Sequence, residues 1–216
     1  MGKRNWDVRT TDHADAGELA GVLAKAFHEE PLMRWLLPDD MTRSKRLEIM
    51  FSTLLGRLYL PLGSTYAAYS REKVSGCAVW CPPNAWRAPS WRIALMAPTM
   101  ALALKERVLA GLSLLRAMEK NHPSGSHWYL AYLGVSPEAQ GTGAGAALLM
   151  HGLERCDAEG SCAYLETSRH TNVLLYERFG FRVSQAFATP GGVSAWGMYR
   201  EPQESLSSCA PMDPWK

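Results

Sequence analysis

Three glycines fall within six residues, Gln140-Gly141-Thr142-Gly143-Ala144-Gly145, where a strand-like run passes into a helix-like one. Glycine permits positive φ and close backbone approach to a ligand. The unpaired N–H groups of a first helical turn, with the helix dipole behind them, suit a phosphate or pyrophosphate. The same glycines would equally serve a tight strand–helix turn with no ligand. No Lys-Ser/Thr follows, which argues against a Walker loop, and residues 141–145 lack the G-x-G-x-x-G spacing of a dinucleotide site. Downstream, Asn172 and Tyr176 are one helical turn apart and share a face. The phenol is either a core aromatic or a proton donor. Tyr164 and Glu166 alternate to one face of a short strand. There Glu166 either acts as a partly desolvated general base, directly or through water, or only accepts backbone hydrogen bonds.

The elements that must hold these residues follow from hydrophobic period and punctuation. Trp6–Arg9 reads as a first strand. Leu19, Val22, Leu23, Ala26 and Phe27 make an amphipathic helix that Pro31 interrupts. Leu47, Met50, Phe51, Leu54, Leu55 and Leu58 form one stripe of a second helix, read as core. Thr65–Ser70 and Val74–Cys81 form a hairpin around Arg71–Lys73. Residues 86–120 are a mostly helical insertion, broken at Pro98, that either packs on the core or covers an opening. His127–Val135 is a buried strand, Gly143–Glu159 an amphipathic helix ended by Gly160, and Ala163–Thr167 a strand. Thr171–Phe179 is a helix stopped by Gly180, and Phe181–Ala188 with Val193–Arg200 closes the domain as a hairpin. Residues 1–200 thus read as a single α/β domain with a frayed tail at 201–216.

Composition excludes several classes. A formal net charge of +2, with basic residues scattered, gives no footprint for nucleic acid or an anionic membrane. No apolar stretch approaches the ~20 residues of a membrane span, and the N-terminal residues lack an apolar signal region. The five cysteines form neither a CxxC pair nor an even disulfide framework, so they read as small core residues in a reducing compartment. The expectation is a cytoplasmic protein without a metal site, as monomer or homodimer.

The pattern Q-x-x-G-x-G, at Gln140, Gly143 and Gly145, resembles the acetyl-CoA loop of the GNAT acetyltransferase superfamily. Leu165-Glu-Thr-Ser168, Asn172 and Tyr176–Phe181 are similar to its second cofactor motif. Ala26–Asp39 and Ala78–Pro83 resemble one branch of it, and within that branch residues 134–145 with the Leu165–Phe181 block look most like the puromycin N-acetyltransferase-like members. The resemblance implies a mixed, mostly antiparallel α/β (α+β) sheet with a splayed pair of strands, flanked by helices. It implies acetyl-CoA as co-substrate, its pantetheine arm hydrogen-bonded to Leu133, Gly134 and Val135 like an added strand. Gln140, Gly141, Thr142, Gly143, Ala144, Gly145 and Ala146 would then cradle the pyrophosphate. Asn172 would contact the arm, and Tyr176 would act as general acid toward the departing thiolate.

On that reading the acceptor is a small-molecule primary amine, such as an aminonucleoside antibiotic, attacking directly in a ternary complex. A protein lysine or N-terminus, or acetyl-CoA sensing without turnover, are the alternatives. Backbone N–H groups near Val135 would stabilise the oxyanion. Glu29, Glu30 and Glu166 are candidate bases, and Glu30, Trp35 and Trp80 candidate walls of the acceptor pocket, although tryptophans are also ordinary core residues. Gly134 within its strand fits a bulge, a close backbone approach, or a cavity for a neighbouring aromatic. His28 and His127 read as isolated structural or exposed histidines.

Overall fold

The computed structural model describes residues 6–203. The proposed tail therefore lies, from residue 204 onward, outside the described residues. The strand runs assemble one sheet from β1 (Asp7–Thr10), β2 (Thr65–Ser70), β3 (Lys73–Cys81), β4 (Trp128–Val135), β5 (Ala163–Thr167), β6 (Arg182–Ala188) and β7 (Ser194–Arg200). Their order is β1-β2-β3-β4-β5-β7-β6, and every neighbouring pair is antiparallel except β4–β5. The β2–β3 turn is tighter than expected. Arg71 and Glu72 both take positive φ (50° and 64°), as a two-residue hairpin turn demands, and Lys73 joins β3.

Two apolar cores lie on opposite faces of this sheet. One is built by α1 (Ala16–Phe27), α2 (Pro31–Leu36), α3 (Asp40–Leu54), α4 (Ser90–Leu104) and α5 (Val108–Asn121) against Ala67, Val74, Cys77 and Val79. The other is built by α6 (Ala144–Ala158) and α7 (His170–Glu177) against Ala68, Ala78, Leu130 and Leu165. The predicted apolar face of α6 (Leu148, Leu149, Leu153, Cys156) is buried there. The far ends of α6 and β7 are joined by Arg200, which forks onto both oxygens of Asp157 at 2.7 and 2.8 Å. Burial opposes ionisation of Asp157, but the guanidinium and the Gln203 N–H outweigh it and hold the carboxyl below its ordinary value. A lowered folded-state pKa means the pair stabilises fully above about pH 3.9 and loses that contribution as pH falls through the lowered value. Asp157→Asn should accordingly destabilise the protein in urea at pH 7, with the gap to wild type closing towards pH 3.

The insertion both packs on the core and roofs the sheet. Its expected break at Pro98 does not occur: Pro98 and Ala94, the residue whose carbonyl loses a donor, are both exposed, so the lost bond is not buried and α4 runs on to Leu104. The break falls at Lys105, with φ +49°. Buried Arg46 of α3 donates to the carbonyls of Ala103 and Leu104 at 2.7 and 2.6 Å, satisfying the last turn of α4. Arg107 likewise donates to Trp35 and Leu36 at the end of α2. After α3 the chain widens into a π-turn at Leu55–Tyr59, which carries Leu58 and Tyr59 towards the sheet centre.

The feature that shapes the site is in β4. Val79 faces Tyr132 across the β3–β4 ladder while the next residue, Trp80, faces Leu130. Ala131 is therefore an extra residue, a bulge, and it turns to the same side as Tyr132. Pairing with β5 covers only Trp128, Tyr129 and Leu130, and beyond the bulge the two parallel strands part. The bulge is thus at Ala131 and not at Gly134. Gly134 answers to close approach instead: a Cβ there would meet Leu23 Cδ2 at 2.8 Å and Ala26 Cβ at 3.0 Å on α1.

Candidate active site

The parting of β4 and β5 opens a cavity of about 690 Å³ that reaches from the Gly-rich loop to the helical roof. Leu133, Gly134 and Val135 line it from β4, Gln140 from the loop, Glu166 from β5, Asn172 and Tyr176 from α7, and Glu30 from the start of α2. The roof and far wall are apolar: Met50, Leu54 and Leu58, then Ile93, Met96 and Met100, then Leu115 and Met118. Part of the α3 stripe read as core is thus pocket wall. Gly141, Thr142, Gly143, Ala144, Gly145 and Ala146 are not among the lining residues.

These six residues form the approach to α6 and its first turn. Gly143 is the N-cap at φ +96°, with Ala147 N–H donating to its carbonyl at 3.0 Å. The N–H groups of Ala144, Gly145 and Ala146 precede the first intrahelical donor, no side chain caps them, and the first turn holds no acid. That arrangement leaves the positive end of the helix dipole for an anion. A Cβ on Gly141 or Gly143 would meet nothing within 4 Å, so the loop's outer face is open. It is held from behind: Thr142 Oγ1 donates to Ala139, Trp6 Nε1 donates to Thr142, and Gln140 Nε2 donates to Val135 at 3.2 Å. A pyrophosphate-bearing ligand with a long amide arm fits this site, since anion donors and an unladdered strand edge lie in sequence along it.

Tyr176 faces the cavity from α7, buried against Phe181 with ring centroids 5.9 Å apart. Burial raises its pKa well above that of a free phenol, so it carries its proton throughout the physiological range. The Glu166 side chain is 3% exposed and accepts from the Tyr129 hydroxyl at 2.7 Å. The surrounding phenols of Tyr59, Tyr129, Tyr132 and Tyr164 are all pushed up by burial, that of Tyr132 to about 12, and so stay neutral beside it.

Glu30 is placed differently from Glu166. Its Oε2 caps α2 by accepting from Met33 N–H at 2.9 Å, and its Oε1 accepts from Ser168. Arg169 donates to the Glu29 carbonyl beside it, so this segment ties the α1–α2 corner to the start of α7 across the cavity. Glu30→Ala should cost roughly 0.5–2 kcal/mol of stability, the usual loss for an N-cap, measurable by urea denaturation.

The two tryptophans proposed as pocket walls do not line it. Trp80 is fully buried on the opposite face, its indole packed on Gly152 of α6. Trp35 lies under Arg107, whose Cζ is 5.2 Å from the ring centroid, and packs on Gly191. Residues missed from sequence are Tyr59, Tyr129, the methionine-rich roof, and His122. His127 is not isolated: its Nε2 is 2.9 Å from His122 Nε2. The only sequence signal was two histidines flanking the Pro123–Gly125 turn.

Comparison with known proteins agrees with this architecture. Residues 31–181 match the profile described as the Acetyltransferase (GNAT) family. The chain belongs to that family. It is 44% identical over 59 residues to an uncharacterized N-acetyltransferase of Schizosaccharomyces pombe, a match spanning 27% of this chain and only 24% of that relative. It is similar to a solved structure described as histone acetyltransferase HPA2 and related acetyltransferase from Corynebacterium glutamicum, with 26% identity, TM-score 0.73, and coverage of 94% of this chain and 99% of that one. A paia N-acetyltransferase from Thermoplasma acidophilum in complex with coenzyme A shares the fold at 12% identity and TM-score 0.56, over 92% of this chain and 99% of that one. Among the described residues no helix is long and apolar enough to cross a membrane.

Proposed function

We propose that the protein transfers acetyl from acetyl-CoA to a primary amine borne on a small, largely apolar molecule. The observation that carries this reading is one continuous cavity, which joins the strand edge and Tyr176 to a Met- and Leu-walled chamber with a buried carboxylate in it. Acetyl-CoA would place its pyrophosphate on the N–H groups of Ala144–Ala146 and its arm along Leu133–Val135. Family membership supports that donor.

The thioester is already activated, so the protein's task is to position it and to move protons. Glu166 takes a proton from the incoming ammonium, freeing the nitrogen lone pair to attack. Backbone N–H groups near Val135 stabilise the oxyanion. As the carbon–sulfur bond breaks, Tyr176 donates to the sulfur; the dry pocket raises the proton affinity of the departing thiolate as well as that of the phenol. Burial also pushes the thiols of Cys77, Cys81 and Cys156 up, that of Cys81 to about 12, so these three remain protonated. That favours direct transfer over an acetyl-enzyme.

A puromycin-like aminonucleoside is one acceptor of the required kind, an amine on an aromatic body. Similarity to the C. glutamicum protein favours a second reading, acetylation of a protein lysine. The roof formed by α4 and α5 argues against it, because a peptide needs an open groove. The test is CoA-thiol release with acetyl-CoA and a panel of aminonucleosides, arylalkylamines, polyamines and lysine peptides. Turnover of the apolar amines is the expected result, and turnover of peptides alone would replace this reading with the second.

A further inference from the structure

His122 sits at the end of α5 with its side chain 2% exposed. Its ring stacks on Trp86 at 3.7 Å and meets the edges of Tyr129 and Tyr164 at 4.8 and 4.9 Å. These contacts fix the ring plane, and two hydrogen bonds fix its tautomer. His127 Nδ1 lies 2.6 Å from the Gly125 carbonyl, which only accepts, so Nδ1 carries a hydrogen. Buried, neutral His127 then has an acceptor at Nε2. His122 Nε2, 2.9 Å away, must be the donor.

This leaves His122 Nδ1 with its lone pair turned towards Glu166 Oε1, 3.6 Å away. Among the described residues that carboxylate oxygen is buried and has no hydrogen-bond partner. Two acceptors therefore face each other in a dry site. One added proton satisfies both, giving an imidazolium paired with a carboxylate.

We infer that His122 is a positioning residue that stores the proton Glu166 removes from the amine, so that Glu166 and His122 act as one base. The inference rests on the acetyl-transfer reading for its kinetic consequence, though not for its structural one. An N–H bond of the ammonium breaks and its electron pair stays on nitrogen. The proton passes through Glu166 Oε1 to His122 Nδ1, and Glu166 returns to its ionised form. After acetyl transfer the proton leaves to solvent, and no other reactant is needed.

The groups facing the pair do not compete for this proton. Tyr129, Tyr164 and Tyr59 are held neutral by burial, and Tyr199 beyond His127 is raised also. His127 is lowered by burial, with His122 acting the same way, while the Gly125 carbonyl and Glu166 pull it up. Arg87 lies over the Trp86 ring, 4.8 Å from its centroid, and Glu119 lines the cavity from α5.

Two measurements test this. Nitrogen-15 NMR of the histidines in the free protein should show the Nδ1 resonance of His122 moving when Glu166→Gln removes its carboxylate partner. An Nδ1 resonance identical in both proteins overturns the pairing. In kinetics, His122→Phe keeps the aromatic stacking and should lower kcat/KM by about 10²-fold or more at neutral pH. The loss should shrink as pH rises and the amine arrives deprotonated. A loss constant across pH marks a purely structural role and overturns the proton store. Absence of wild-type turnover on any amine would count against the acetyl-transfer reading alone, because the NMR result stands without it.

Discussion

Tyr176→Phe is expected to lower kcat by about 10²-fold or more, equivalent to about 2.7 kcal/mol of transition-state stabilisation. Acetyl-CoA affinity should be unchanged. The substitution removes one oxygen from a ring whose place is set by Phe181 and α7, so packing survives and proton donation does not. Burial keeps the phenol protonated, and the acid role therefore imposes no limb on the pH profile below the tyrosine range. Stopped-flow measurement of CoA release separates binding from chemistry. A variant with wild-type kcat would make Tyr176 a core aromatic whose hydroxyl is idle.

Gly143→Val should remove acetyl-CoA binding, with the donor no longer raising the melting temperature. Two effects add. A β-branched residue at φ +96° is strained by roughly 1–3 kcal/mol. Its methyls would also occupy the open space over the first turn of α6, where the anion donors point. The strain alone would lower stability without ligand and leave the ligand-induced shift intact. Loss of the shift itself is the result that identifies the loop as a pyrophosphate site. An unchanged shift would remove that assignment.

The donor side of the site was legible because it is local. The residues proposed for it depend on local geometry, the N-cap and first turn of α6 for Gln140–Gly145 and helical spacing for Asn172 and Tyr176 on α7, which sequence records directly. The sheet and its flanking helices were also legible from period and glycine punctuation, within a residue or two at most ends. What sequence did not reveal depends on contacts between distant segments. Trp35 and Trp80 carry the same composition signal whether they wall a pocket or pack on Gly191 and Gly152. The bulge at Ala131 is a property of two strands in register, and nothing in Tyr129-Leu-Ala-Tyr-Leu133 marks it. His122 and His127 gain meaning only when α5 returns beside β5 and sets one ring against Glu166. Pro98 misled because the penalty for proline depends on which carbonyl is exposed, a tertiary fact.

The most direct test of the acetyl-CoA cleft is a crystal structure of the protein soaked with acetyl-CoA. The expected result is pyrophosphate oxygens on the N–H groups of Ala144–Ala146, the pantetheine amides paired with the β4 edge at Leu133–Val135, and the thioester sulfur within hydrogen-bonding reach of Tyr176 Oη. Acetyl-CoA bound outside the gap between β4 and β5, or with its thioester turned away from Tyr176, would contradict it.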